Sequence, residues 1–251
     1  MGKKYTKKEA VSIAISAARL YRDNFVGKRL LFIVTDKHKN VSSLEVGFDA
    51  SNFHHLTGLE LTNKTWSHLD FYNFCIDGRL KEADIEFGGK GTTHQKLAVL
   101  PLAFKNANLS ASMMGNYNNS HPLLYTEKLV GGVKWALGFR DVTGAGDYVL
   151  DTLLEGDIRD NIKDSYRIIA TYIKGTDEVY VNWVENGINS VYGGIYISYG
   201  DYEMTEDDIP IPCVEDELVK FSEVNDNLEA VVKGIMDVLD KIESQYVELE
   251  I

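Results

Sequence analysis

The sequence predicts an α+β protein with helices, a mainly antiparallel sheet and an acidic amphipathic helix at its C-terminal end. Helix signals dominate the first part of the chain, and short β-rich runs separated by turn residues dominate the later part. No repeating strand-helix-strand pattern links the two parts. With 251 residues, 44% of them hydrophobic, the chain can bury a substantial core.

The first predicted elements are a helix and a hairpin. The helix lies between Thr6 and Phe25, and Thr6 and Glu9 have the spacing of a capping box. Two β-rich runs follow, Leu30–Asp36 and Val41–Phe48. The short polar turn between them predicts that they pair as a hairpin.

Two more helices are predicted further along the chain. One is Trp66–Ile76, with Thr65 as its N-cap. The other follows the glycine-rich segment GGKGTTHQK, which supplies Thr92 or Thr93 as N-cap and places Lys96 in the first turn.

The strand-rich part and the acidic end complete the predicted organisation. An α+β body spans residues 1–200, an acidic connector spans 201–217 with two of the four prolines, and a C-terminal helix spans 218–251. The predicted strands of the later body are Leu123–Leu129, Gly132–Asp141, Tyr166–Ile173, Val179–Val184 and Gly193–Tyr199.

The C-terminal helix is predicted to carry an apolar seam. Its apolar residues follow a 4-3 spacing that is interrupted at Gln245. Such a seam is buried in a folded protein, either against the body of the same chain or against a second copy or another protein. The seam consists of Val224, Leu228, Val231, Ile235, Val238, Ile242 and Leu249.

The negative charge of the chain is unevenly distributed, so the net charge alone does not exclude a nucleic-acid substrate. Residues 201–251 hold 3 basic and 16 acidic side chains, so this segment alone is more negative than the whole chain, whose net charge is −12. The rest of the chain is near neutral, so a nucleic-acid substrate is compatible with it, although a broad phosphate-binding surface is disfavoured. No stretch approaches the ~20 apolar residues of a membrane span, and no signal peptide is evident, which predicts a soluble, cytoplasmic protein.

The segment FHHLTGL offers groups for proton transfer. A neutral imidazole can take a proton near pH 7 and return it to a leaving group, and Thr57 adds a hydroxyl. If the segment is extended, His54 and His55 point to opposite faces, so at most one enters a shared site. The structural alternative is one buried, hydrogen-bonded histidine and one solvated histidine.

The segment THQK offers a positive charge. Lys96 lies one helical turn from Thr93 and can place an ammonium group against an oxyanion or a phosphate. The structural alternative is a capping threonine followed by an exposed lysine. Lys64 and Thr65 repeat the pairing. The six histidines are scattered and show no metal-binding spacing, so neither a metal nor a cofactor is predicted.

Three short motifs in this order resemble a phage-associated branch of the Barnase–EndoU–colicin–RelE-like nucleases. They are FxHLTG (Phe53, His55–Gly58), FYNFC (Phe71–Cys75) and TTHQK (Thr92–Lys96), and the likeness covers residues 30–139. The resemblance implies a small ribonuclease unit of helices and an antiparallel sheet that cleaves RNA without a metal. The long strand-rich second part and the acidic tail depart from a compact, free-standing toxin.

The resemblance also implies catalytic roles. The histidine, lysine and threonine or serine of the family fall on His55, Lys96 and either Thr57 or Thr93. In the resulting hypothesis, His55 is a general acid or base toward a ribose 2′-hydroxyl. Lys96 stabilises the charged transition state, and Thr57 or Thr93 orients the phosphate.

Further residues are predicted to bind the substrate. His54 and Lys64 flank the catalytic motifs, and Tyr117 or Phe139 would stack on a base of the RNA. A second hypothesis from another class is a non-catalytic, phage-type interaction or inhibitor protein whose acidic C-terminal region binds a partner protein.

Overall fold

The computed structural model describes residues 3–38, 40–89, 91–105, 109–120, 124–144 and 146–175, and five short strands between residues 183 and 203. Its α-helices are α1 (Lys7–Asn24), α2 (Phe53–Thr57), α3 (His68–Ile76) and α4 (Thr93–Ala103). Its strands up to residue 175 are β1 (Lys28–Thr35), β2 (Val41–Gly47), β3 (Leu59–Leu61), β4 (Ile85–Phe87), β5 (Met113–Asn116), β6 (Lys128–Gly131), β7 (Trp135–Asp141), β8 (Tyr148–Glu155) and β9 (Tyr166–Gly175). The later strands are β10 (Trp183–Glu185), β11 (Ile188–Ser190), β12 (Ile195–Tyr196), β13 (Ser198–Tyr199) and β14 (Tyr202–Glu203).

The largest sheet has the strand order β1-β2-β8-β7-β6-β5-β9-β12. The helices together with this sheet confirm the predicted α+β class, and the pairs β6–β7, β7–β8, β5–β9 and β9–β12 are antiparallel. Two features were not predicted. β2 pairs with β8 in parallel, and β1 also pairs with β9.

The chain divides into two compact units. Among the described residues, one unit lies within 3–28, 46–111 and 115–164, and the other lies within 29–45, 112–114 and 165–203. Every residue of the predicted site belongs to the first unit. In the second unit, β1 has a continuous buried run from Leu30 to Val34.

The core of the first unit forms around α1. The Thr6 and Glu9 capping box predicted from the sequence is present, and a strip of small residues on α1 is buried together with Tyr21. Tyr21 packs against an aromatic cluster with ring centres 5.0–6.5 Å away, and its hydroxyl donates to the Asp49 carbonyl at 2.8 Å. The cluster partners are Phe25, Phe48, Phe53, Tyr72 and Phe104.

Cys75 is a structural residue on α3. It is fully buried, and burial raises the pKa of its thiol to about 12. A thiol with that pKa is almost entirely protonated at neutral pH and is a poor nucleophile.

Several predicted elements need correction. α3 begins after Ser67, which forms a capping box with Asp70, so Thr65 is not its cap. The strand predicted at Leu123–Leu129 is β6, Lys128–Gly131, and β8 was missed. The predicted connector and C-terminal helix, residues 201–217 and 218–251, lie almost entirely outside the described residues and remain predictions.

Candidate active site

The short helix α2 carries both histidines of the FHHLTGL segment, so these residues are helical rather than extended. Its beginning is attached to β8, because the Asn52 side-chain amide donates to the Leu150 carbonyl. Its end is closed by Thr57, whose buried hydroxyl donates to the His54 carbonyl at 2.8 Å and accepts from the Leu59 amide at 3.0 Å. Thr57 thus shapes the turn that ends α2.

Thr93 joins the start of α4 to the end of α2. Its hydroxyl donates to the Gly58 carbonyl at 2.6 Å and accepts from the Gly88 amide at 3.0 Å, and its side chain is 2% exposed. The contact requires glycine at position 58. Gly58 has φ of +67°, and a Cβ there would lie 3.0 Å from the Thr93 Cα and 3.2 Å from the Lys96 Cδ.

Lys96 brings the two predicted motifs together. It projects from the first turn of α4, and its Nζ donates to the His55 carbonyl at 2.7 Å and to the Thr152 hydroxyl at 3.4 Å. The ammonium group is therefore fixed beside the His55 residue, between α2 and β8. The half-buried position strengthens its electrostatic effect on a bound anion relative to bulk water.

His55 has an exposed side chain in a crowded electrostatic environment. Its pKa is lowered from the ordinary value, first by partial desolvation and then by the charge that His68 can carry. Asp151 acts in the opposite direction, and Lys96 and Arg140 lower the pKa further. The neutral imidazole, the form that accepts a proton, is therefore favoured near pH 7.

A β-bulge places Asp151 near this cluster. In the pairing of β7 with β8, Gly138 is opposite Thr152 and Phe139 is opposite Leu150, so Asp151 is the extra residue. A bulge redirects a side chain relative to a regular strand, and bulges are frequent next to active sites. Here the bulge lies immediately before the Thr152 hydroxyl that contacts Lys96.

His54 lies on the inner side of the same helix. It is 8% exposed, stacks on Phe71 with ring centres 4.3 Å apart, and has His68 at 4.9 Å. Within the described residues neither ring nitrogen has a hydrogen-bond partner. Burial, then the neighbouring His68 and His55, lowers the pKa of His54 to about 4.

The other predicted binding residues lie in different environments. Lys64 is exposed, with its Nζ 3.7 Å from the Glu60 carboxylate. Tyr117 is 3% exposed and Phe139 is fully buried against Phe48, so in this conformation neither ring presents a face to a base. The geometry thus brings together His55, Lys96, Thr57 and Thr93.

Comparison with known protein families identifies the family to which the chain belongs. The family described as phage-Barnase-EndoU-ColicinE5/D-RelE like nuclease 4 matches residues 15–189, which is more than half of the chain. The chain belongs to this phage nuclease family. Its membership implies a nucleic-acid substrate for the nuclease. No curated protein and no solved structure matches the chain.

Four residues beside the candidate site were not predicted from the sequence: His68, Arg140, Asp151 and Thr152. Arg140, Asp151 and Thr152 reach the site through the pairing of β7 with β8, which is distant in sequence from the helical motifs. One signal was available, since Asp151 and Thr152 are polar residues in the apolar run VLDTLL, and buried polar residues are uncommon.

Two features are absent from the described part of the chain. No group of three or more His, Cys, Asp and Glu side chains among these residues is arranged to hold a metal ion. None of the helices placed in the described ranges has the length and apolar character needed to cross a membrane.

Proposed function

We propose that this nuclease cleaves RNA by metal-independent transesterification, with His55 as general base and Lys96 stabilising the transition state. The observation that carries the proposal is the 2.7 Å hydrogen bond from the Lys96 Nζ to the His55 carbonyl. It holds a residue that can accept a proton next to one that can neutralise a phosphate. Membership of the nuclease family supports the class of reaction.

The proposed reaction follows from these two groups. The neutral His55 imidazole takes the proton of a ribose 2′-hydroxyl, and the 2′-oxygen attacks the adjacent phosphorus. Negative charge accumulates on the phosphate oxygens, where the Lys96 ammonium is placed to oppose it. The bond to the 5′-oxygen then breaks and that oxygen takes up a proton, which leaves a 2′,3′-cyclic phosphate and a 5′-hydroxyl.

Thr57 and Thr93 support this arrangement indirectly. Both hydroxyls are engaged with backbone atoms at the end of α2, so they position His55 and Lys96 in the proposed mechanism. The exposed Lys64 is suited to a contact with the RNA backbone outside the reacting phosphate.

The test is the requirement for a 2′-hydroxyl. An RNA oligonucleotide and the same oligonucleotide with a single 2′-deoxy substitution at the cleaved position are incubated with the full chain in excess chelator. We expect cleavage of the RNA to a cyclic phosphate and no cleavage at the deoxy position. Equal cleavage of both substrates, or products with a 5′-phosphate, would contradict the proposal.

A further inference from the structure

The side chains of His55 and His68 lie against each other. The two ring centres are 4.1 Å apart and the ring planes are nearly perpendicular, at 89°. Both side chains are exposed. The two exposed imidazoles are therefore in direct contact.

Transesterification needs two proton transfers. One proton leaves the 2′-hydroxyl, and another must reach the 5′-oxygen, because an alkoxide is a poor leaving group. His55 can act as the base, but it cannot deliver the second proton while it is still accepting the first. A second proton carrier near the same phosphate is therefore required.

His68 is held in place for this task. It is the first residue of α3, directly after the N-cap Ser67, whose amide donates to the Asp70 carboxylate at 2.7 Å. Its ring also packs edge-on against the buried His54. His54 in turn stacks on the buried Phe71, so His68 packs against a buried pair of rings.

We infer that His68 is the general acid of the nuclease and donates a proton to the departing 5′-oxygen. This inference rests on the proposed ribonuclease function. The 2′-oxygen loses its proton to His55 as its bond to phosphorus forms, and the 5′-oxygen takes a proton from the His68 imidazolium as its bond to phosphorus breaks. Exchange with solvent then removes the proton from His55 and returns one to His68.

The electrostatic coupling of the two rings agrees with these roles. After desolvation, the charge that His68 can carry is the largest influence that lowers the pKa of His55. A protonated His68 therefore favours the neutral base at position 55. The other charged groups that face His55 are Asp151 on β8, Lys96 on α4 and Arg140 on β7, and His54 lies on the same helix.

A substrate with a better leaving group tests the acid directly. In one RNA the 5′-oxygen at the cleavage site is replaced by sulfur, which departs without protonation. We expect the His68→Ala variant to cleave ordinary RNA about 10²-fold more slowly than the unsubstituted chain. On the sulfur-containing RNA we expect the two proteins to have nearly the same rate. His55→Ala is expected to be slow on both, because it lacks the base.

Controls separate a folding defect from a chemical one. His68→Gln keeps a polar side chain of similar length, and His38→Ala removes an exposed histidine elsewhere in the chain. We expect His68→Gln to behave as His68→Ala does and His38→Ala to be unaffected. NMR titration of His68→Gln is expected to show a higher pKa for His55, independently of activity.

Three outcomes would overturn the inference. They are normal cleavage of ordinary RNA by His68→Ala, an equal loss on both substrates, and an unchanged pKa of His55 in His68→Gln. Failure of the unsubstituted chain to cleave either RNA would instead overturn the proposed function, and this inference with it.

Discussion

The ammonium group of Lys96 is fixed by hydrogen bonds to the His55 carbonyl and the Thr152 hydroxyl. A charge that is already in place when the substrate binds needs little reorganisation as the transition state forms. Lys96 is therefore expected to act on turnover more than on affinity.

Lys96→Ala tests this expectation. We predict a loss of about 10²-fold in kcat with a small change in KM, and partial recovery in Lys96→Arg, which keeps the charge. Lys105→Ala, at an exposed lysine just beyond α4, is the matched control. If Lys96→Ala weakens RNA binding but keeps the single-turnover rate at saturation, Lys96 only docks the phosphate.

The buried His54 predicts a pH dependence of stability. Its pKa is about 4 in the folded protein, against 6.5 for an unperturbed histidine, so between these values the unfolded chain binds more protons. The free energy of unfolding is therefore highest above pH 6.5 and falls as the pH drops toward 4, by at most about 3 kcal/mol from this residue.

Denaturant titration of His54→Leu measures that contribution. The substitution removes the titrating group but keeps an apolar side chain against Phe71, so we predict a flatter stability profile between pH 6.5 and pH 4 than in the unsubstituted chain. His38→Leu, at an exposed histidine, serves as control. Identical slopes for His54→Leu and the unsubstituted chain would show that His54 is not the titrating group.

At the scale of elements, the Thr93 hydroxyl at the start of α4 is hydrogen-bonded to Gly58, the residue that ends α2, and to Gly88. Thr93→Val keeps the shape of the side chain but removes a buried donor and acceptor, so we predict a loss of about 1 to 2 kcal/mol in the free energy of unfolding. Thr92→Val is the matched control, since Thr92 is exposed and within the described residues makes no side-chain capping bond.

Thermal or denaturant unfolding of the two valine variants decides the role of Thr93. Equal stabilities would show that its hydroxyl does not support the contact. If Thr93→Val remains stable but loses turnover, the threonine contacts the phosphate directly, as the family resemblance implied.

Local sequence signals predicted some of these elements and failed for others. The capping box of Thr6 and Glu9 fixed the start of α1, because the signal is contained within four residues. Ser67 and Asp70 form the same pattern, but the neighbouring Thr65 was chosen as cap. β8 was missed because its run shows no regular alternation, and its position is set by pairing with β7.

In the candidate site too, the residues could be predicted from local motifs but their contacts could not. His55 and Lys96 belong to motifs that can be recognised in the sequence, whereas their contact depends on packing between α2 and α4. The fold of the FHHLTGL segment decided which histidine is buried. In a helix, unlike a strand, adjacent side chains point about 100° apart, so His54 faces Phe71 while His55 stays exposed.

At the scale of the whole molecule, the acidic charge is concentrated in residues 201–251, outside the range that matches the nuclease family. This separation leaves the part that matches the nuclease family close to neutral, which is compatible with a nucleic-acid substrate despite the net charge of −12. The role of the predicted C-terminal helix, which lies outside the described residues, stays a prediction. The two predicted roles of this helix are docking on the body of the same chain and binding to a partner protein.

The central claim is that the full chain is a metal-independent ribonuclease that depends on His55. It is tested most directly by incubating a mixed RNA pool in excess chelator with the unsubstituted chain, His55→Ala and His38→Ala. We predict cleavage by the unsubstituted chain and by His38→Ala, and a loss of about 10²-fold or more in His55→Ala with unchanged melting temperature. Absence of cleavage until a divalent metal is added, or equal cleavage by all three proteins, would contradict the claim.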